Sequence, residues 1–170
     1  LVKIKGGTRK IPYRLLTSEE LKTIYDLQST YGLAQKRNKV LLSLVVFQGV
    51  GSAELGRIEV KDVDLMNGKI YIPAIRTTNS RTLDLKPQQL LLFQDYLMNT
   101  RPLILQEAGK ESDYFLEHQK PTSNPVSNNV ISLLLYRLKS HYPKLKSLQQ
   151  IRQSVITEWL KEYHSVITLC

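Results

Sequence analysis

Apolar residues recur at helical spacing along most of this chain and switch to alternation in one short middle stretch. Leu21, Ile24, Tyr25 and Gln28 follow one helical face. Thr17, with Glu20 three residues later, forms the capping-box pattern that starts this helix, and Gly32 ends the segment. A second helix is predicted from Asn38 to Gly49. Its run from Val40 to Phe47 is apolar on nearly all sides, so it belongs at the centre of the core. Gly49-Val50-Gly51 reads as a tight corner, and Ser52 as the cap of a short helix containing Ala53, Glu54 and Leu55.

The period then changes. Val60, Val63 and Leu65 lead to Asn67-Gly68, a hairpin signal, and Lys69-Ile70-Tyr71-Ile72 returns as a strand ended by Pro73. Arg81 to Leu85 alternates polar and apolar and suits a third strand. Arg76 to Arg81 is a polar turn between the two. A three-stranded antiparallel sheet is the economical reading. Helices resume at Pro87, with Leu90, Leu91, Phe93, Tyr96 and Leu97 on the apolar face and Pro102 as the stop. Residues 109 to 124 read as loop, with one apolar patch at Tyr114-Phe115-Leu116. A helix from Val130 to Lys139 follows, capped by Ser127 or Asn128. The last helix opens on Ser147 and Gln150, a second capping box, and carries Ile151, Val155, Trp159, Leu160 and Tyr163. The fold class is therefore α+β, mainly helical, around one small sheet.

Composition narrows the picture. A chain of 170 residues with 42% hydrophobic and 23% charged positions can bury one core, and 24 Lys+Arg against 15 Asp+Glu gives a net charge of +9. That surplus points to a polyanionic partner, nucleic acid or an anionic membrane surface. The first fourteen residues concentrate it: Lys3, Lys5, Arg9, Lys10 and Arg14 occur there with no acid. They read as a basic arm over 1–14, followed by a folded domain over 15–170. One cysteine, Cys170, excludes a disulfide framework and a cysteine-rich zinc module. No apolar run is long enough to span a bilayer and no signal peptide is visible, so a soluble intracellular domain without membrane attachment is expected.

Most catalytic constellations are absent. His118, His141 and His164 are scattered and read as surface histidines, and no nucleotide-binding or nucleophile-elbow motif occurs. Asp62 and Asp64 have the same-face spacing of a strand, but two acids beside a turn are more often solvated than cation ligands. No metal or other cofactor is expected. The tetrapeptide Ser-Val-Ile-Thr occurs at Ser154–Thr157 and again at Ser165–Thr168, a spacing that would put both copies on one helix face.

Three patterns combine in order: the corner Gln48-Gly49-Val50-Gly51-Ser52-Ala53-Glu54-Leu55, the hairpin leading to Arg76 and Arg81, and the late helix with Gln149-Gln150-Ile151-Arg152. From about Lys3 to about Tyr163 the chain resembles the catalytic domain of tyrosine recombinases, the phage-integrase family, and most nearly the integrase-like proteins of bacterial mobile elements. The resemblance implies the DNA breaking-rejoining fold, double-stranded DNA as partner, self-association on DNA, and a cytoplasmic, nucleoid-associated location in a bacterium.

In that family a tyrosine attacks a DNA phosphodiester. Two arginines clamp its non-bridging oxygens, and a lysine and a histidine move protons. Carried onto this sequence, the second arginine is Arg152. The histidine position holds Gln149, which cannot titrate. The hairpin lysine position holds Arg76, a poor proton donor. Gly51 stands where the first arginine is expected, although Glu54 is kept three residues later. Arg57, beyond the short helix, is a poor substitute. Eighteen residues follow Arg152, with no glycine and with Tyr163 as their one tyrosine. Tyr163 falls about 16 Å further along a helix and reads as a core or helix-end aromatic.

The expectation is a degenerate, C-terminally truncated catalytic domain that binds DNA without cutting it. Ser52, Arg76, Arg81, Gln149 and Arg152 would face the DNA, and the arm would lie along the duplex. An active recombinase completed by a missing or exchanged C-terminal segment, and a basic scaffold or RNA-binding module, stay open as alternatives.

Overall fold

The computed structural model describes residues 14–118 and 126–169, with side chains as far as His164. Lys3, Lys5, Arg9 and Lys10 therefore lie outside the described residues. The described residues form seven α-helices and a three-stranded sheet: α1 Ser18–Leu27, α2 Leu33–Gln48, α3 Ser52–Leu55, β1 Val63–Asp64, β2 Lys69–Ile72, β3 Arg81–Asp84, α4 Pro87–Asp95, α5 Arg101–Ala108, α6 Asn128–His141 and α7 Leu148–Leu169. No helix among the described residues is long and apolar enough to cross a membrane.

The all-round apolar character of α2 has the expected consequence. Val40, Leu41, Leu42, Leu44 and Val45 are fully buried, and α2 packs against α1, α4, α5 and α7. Each such side chain contributes about 1.5–3 kcal/mol on leaving water. The helix begins at Leu33, five residues before the predicted Asn38. Leu33 and Ala34 are followed by four polar residues, Gln35 to Asn38, which carry no apolar period, but Arg37 and Asn38 are buried by tertiary contacts. Correspondingly, α1 stops at Leu27 rather than Gly32, and Gly32 is the N-cap of α2.

The sheet is antiparallel in the order β1-β2-β3, with Ile70 opposite Leu83 and Ile72 opposite Arg81. Its first strand is shorter than predicted. Val60–Asp62 forms a 3-10 turn, because the Asp62 carboxylate accepts the Glu59 N–H at 2.8 Å and closes that turn. Asp64 likewise accepts the backbone and side-chain N–H of Asn67, at 3.1 and 2.7 Å, to close the hairpin. Both acids serve turns. No group of three or more His, Cys, Asp or Glu that could hold a metal occurs among the described residues.

Pro102 does not stop its helix. A single π turn, Tyr96–Thr100, follows α4, and the Arg101 N–H donates to the Tyr96 carbonyl five residues back. The α register then restarts at Arg101, so Pro102, which has no N–H to give, falls in the first turn of α5, where none is needed. The same turn seats Tyr96 in the core. Its hydroxyl donates to the Phe115 carbonyl at 2.7 Å, and its ring stands edge-on to Phe115 with centroids 5.3 Å apart. Burial pushes the Tyr96 phenol far above its ordinary pKa.

The last two helices also start earlier or run longer than their apolar periods suggest. Ser147 caps α7 through the Gln150 N–H at 3.0 Å, but the Gln150 side chain turns elsewhere. It accepts the Lys146 N–H at 2.7 Å and donates to the Arg14 carbonyl at 2.8 Å, which ties the entering chain to α7. The Ser154 hydroxyl accepts the Leu16 N–H at 2.8 Å and does the same one turn later.

Arg14, expected in the basic arm, is engaged with the body of the domain. Its guanidinium grips Glu20 through two hydrogen bonds, at 3.1 and 2.8 Å. The Tyr142 hydroxyl adds a third at 2.7 Å, and the Thr17–Glu20 capping box is present as predicted. Arg14, then Tyr142 and the Thr17 N–H, hold the Glu20 carboxyl at a pKa of about 2. A carboxyl held this low stabilises the fold fully above the ordinary glutamate range, and the contribution is lost as pH falls from there towards about 2. Urea titrations between pH 7 and pH 2.5 should therefore show a declining midpoint below about pH 4.5, and Glu20→Gln should lower the neutral-pH midpoint and flatten that decline.

Candidate functional site

The C-terminus of α2 builds the site. Gly49, at φ +63°, ends the helix in the left-handed conformation, and the Gly49 and Val50 N–H groups return to the Val45 and Leu44 carbonyls at 3.0 and 3.3 Å. The Gly49 carbonyl points away from the helix, and the Nε of Arg152 on α7 donates to it at 3.0 Å. That bond fixes the guanidinium. Among the described residues its two terminal nitrogens have no hydrogen-bond partner. Gly51 lies directly beneath: a Cβ placed there would sit 3.7 Å from both Cζ and Nε of Arg152. Gly51 and Arg152, the two positions that the sequence pattern singled out, are 101 residues apart in the chain and lie side by side here.

A buried carboxylate forms the floor. Glu54 is 1% exposed on α3. It accepts the Gly51 N–H at 2.9 Å, the Thr78 hydroxyl at 2.9 Å, and both terminal nitrogens of Arg81, one at 3.0 Å. Burial alone would raise the Glu54 carboxyl. The Arg81 hydrogen bonds, followed by Gly51 and Thr78, outweigh burial and hold it below its ordinary value. The two-pronged pair is the geometry that guanidinium and carboxylate favour. Arg81 is thus bound to the protein and also stands at the rim, with 29% of its side chain exposed.

The other predicted residues take different places. Ser52 is exposed at the start of α3, and Gln149 is exposed one turn before Arg152 on α7. Arg76 is exposed at the tip of the β2–β3 loop, in a tight turn closed by the Ile75 N–H to the Thr78 carbonyl at 3.0 Å. Because Thr78 is tied to Glu54, the loop that carries Arg76 is pinned to the same site. Arg57 is exposed beyond α3 and forms no side-chain hydrogen bond or ion pair among the described residues. Tyr163 corrects the expectation of a core or helix-end aromatic. It is 63% exposed and within α7, which continues past it as one helix.

Two features of the site were not readable from sequence. The Glu54 clamp joins residues 24 and 27 positions apart, and the hint for it was a glutamate next to the core residue Leu55 in a short helix. The second is a reciprocal amide pair, Gln48 with Gln89, at 2.7 and 2.8 Å. Gln48 also donates to the Asp84 carbonyl at 2.9 Å, which locks the end of α2 to β3 and α4.

The described residues thus form a mainly helical fold with a small antiparallel sheet, in which an arginine of α7 is set against the corner at the C-terminus of α2. The chain is similar to the crystal structure of XerA recombinase (TM-score 0.69, 18% identity, 91% of this chain and 53% of that chain). It is also similar to XerH site-specific recombinase bound to difH substrate (0.70, 21%, 94% and 47%). A third likeness is to the Tn1549 transposon integrase in complex with a circular intermediate DNA (0.66, 16%, 88% and 54%). The chain spans about half the length of these solved chains. No curated protein matches the sequence. The model of the Phage integrase family matches residues 14–164, and this chain belongs to that family.

The two glycines of the corner should respond differently to alanine. Gly49→Ala forces a side chain into a positive-φ position against Val155, Ile156 and Trp159 and should cost about 1–2 kcal/mol. Gly51 has φ −84°, and the nearest atoms to a Cβ there belong to Glu54 and Arg152, at 3.4 Å or more. Gly51→Ala should stay within about 0.5 kcal/mol of the wild type. Urea unfolding followed by circular dichroism measures both.

Proposed function

We propose that this domain binds duplex DNA by its backbone and seats a phosphate on Arg152, without providing the chemistry that cuts it. One observation carries the reading. The Arg152 guanidinium is held rigid by the Gly49 carbonyl with its outer nitrogens unengaged, directly above Gly51 and beside the Glu54–Arg81 pair. A fixed guanidinium presents two parallel N–H donors to a phosphate without an ordering cost. Exposed Arg76 and Gln149, and the N-terminal cations, extend the same face in this proposal. The net charge of +9 and relatives of the same fold solved on DNA support it.

Strand cleavage needs more than a phosphate seat. It needs a nucleophile in line with the phosphorus and a group to protonate the leaving oxygen. Around this seat Gly51 supplies no second guanidinium, Gln149 cannot titrate, and Arg76 holds its proton too tightly to give it. Tyr163 is eleven residues along α7 from Arg152, about 16 Å on the helix axis, and cannot reach a phosphate held there. In this reading the described residues can hold and polarise a phosphodiester but offer no group to attack the phosphorus or to protonate the leaving oxygen.

Fluorescence anisotropy with a labelled duplex tests the binding. Affinity should fall steeply between 50 and 200 mM salt, and Arg152→Gln should weaken it by about tenfold and reduce the slope of log K against log salt by about one. Equal affinity for structured RNA, or no effect of Arg152→Gln, would count against the proposal. A nicked suicide duplex should give no covalent adduct on a denaturing gel.

A further inference from the structure

The other end of α2 carries a charge that the fold leaves without a counter-ion. Arg37 is 5% exposed. Its Nε and one terminal nitrogen donate to Asn38 Oδ1 at 3.3 and 3.0 Å, and the other terminal nitrogen donates to the Glu117 backbone carbonyl at 3.2 Å. These acceptors are neutral. All fifteen acidic side chains lie among the described residues, and none forms an ion pair with Arg37. The Glu117 carboxylate is turned to Lys110 at 2.9 Å and Arg101 at 3.8 Å instead. Burying an ion is costly unless an opposite charge stands close, and a guanidinium does not escape by losing its proton at neutral pH.

The surroundings increase the imbalance. Arg37 lines a cavity of about 320 Å³, a size typical of small-ligand sites. Its other polar walls are Asn38, Arg137, His118 and Asn129, its apolar walls include Val130 and Leu133, and no carboxylate borders it. Burial pulls the Arg37 pKa down and the nearby Arg137 charge adds to the effect, so the two cations feel each other. Asn129 and Val130 belong to the first turn of α6, whose N–H groups give that end of the helix positive potential. An arrangement made only for stability would set a carboxylate or an apolar residue here. What the cavity lacks is an anion.

We propose that this cavity is a phosphate-binding site, with buried Arg37 as the anchor and exposed Arg137 as the outer cation. Arg37 still has two N–H groups beyond its three hydrogen bonds, and Val130 and Leu133 give an apolar surface beside the anion. The same chemistry suits a phosphate of the DNA backbone or the phosphate of a free mononucleotide. The site is separate from the Arg152 seat and does not depend on it. Twelve residues of α2 separate Arg37 from Gly49, about 18 Å along the helix.

His118 gives a local reporter. Inorganic phosphate titrated into the full chain at constant pH, with chloride at matched ionic strength as control, should shift the His118 imidazole-ring proton resonances saturably by NMR. Those of His141 and His164 should not follow. Arg137→Gln should weaken this binding by about fivefold or more, and Arg152→Gln should leave it unchanged. Arg37→Lys, checked for folding by circular dichroism, should weaken it too; if that variant does not fold, Arg137→Gln decides the matter. A shift that does not saturate, or one that Arg137→Gln leaves intact, overturns the proposal. Adenosine monophosphate and a short duplex then separate the sources. Displacement of phosphate from His118 by the duplex assigns the DNA backbone, and displacement by the mononucleotide alone assigns a free nucleotide.

Discussion

A helix buried on every side can reach the surface only at its ends, and in this domain both ends of α2 become places where charge collects. The interior of α2 admits no water, so its backbone groups are satisfied within the helix and its side chains by α1, α4, α5 and α7. At the C-terminus the left-handed Gly49 returns two N–H groups to the last carbonyls and turns its own carbonyl outward. Arg152 completes that end by donating to it. The bond that finishes a helix terminus is therefore also the bond that fixes the guanidinium of the proposed phosphate seat. Stability and function draw on one contact.

The Glu54 clamp depends on the same geometry. Once the corner turns through Gly51, the first turn of α3 points Glu54 inward, where a carboxylate must be compensated. Gly51, Thr78 and Arg81 compensate it, and in doing so draw the β2–β3 loop against the corner. The Gln48–Gln89 pair holds the other side of the sheet to α2 and α4. A loop of eight residues between β2 and β3 that would otherwise be free to move is thus anchored by one buried charge. The N-terminal end of α2 shows the contrast. There Arg37 is buried with neutral hydrogen-bond partners only, beside a cavity with no acid in its walls.

The order of elements was legible in the sequence because each rests on local signals: the period of the apolar residues, the Thr17–Glu20 box, the Asn67-Gly68 turn and the Gly49 stop. The departures share a cause. Arg37 and Asn38 of α2 are polar and yet buried, Pro102 is absorbed by a π turn that seats Tyr96 in the core, and the Gln150 side chain leaves its own cap to hold the Arg14 carbonyl. In each case a tertiary contact outweighs a local preference that is worth at most a few kcal/mol. Arg14 shows the same effect on charge: it was counted with the basic arm, but Glu20 and Gln150 bind it to the domain.

By itself the sequence determined that the protein is a basic, mainly helical domain with one small sheet. Through its resemblance to the family it also supplied the residue types on which the proposed function rests: Gly51, Arg76, Gln149 and Arg152. Residue identity decides whether a group can titrate, donate or attack, and needs no coordinates. Only the tertiary structure decided which of these groups meet. Gly51 and Arg152 come into contact across about a hundred residues of chain, and Arg81 closes on Glu54. Tyr163 stays out in solvent, and Arg37 is sealed in with no acid to match it. Those outcomes follow from how helices pack and how buried charge is balanced, and the spacing of residues along the chain does not contain them.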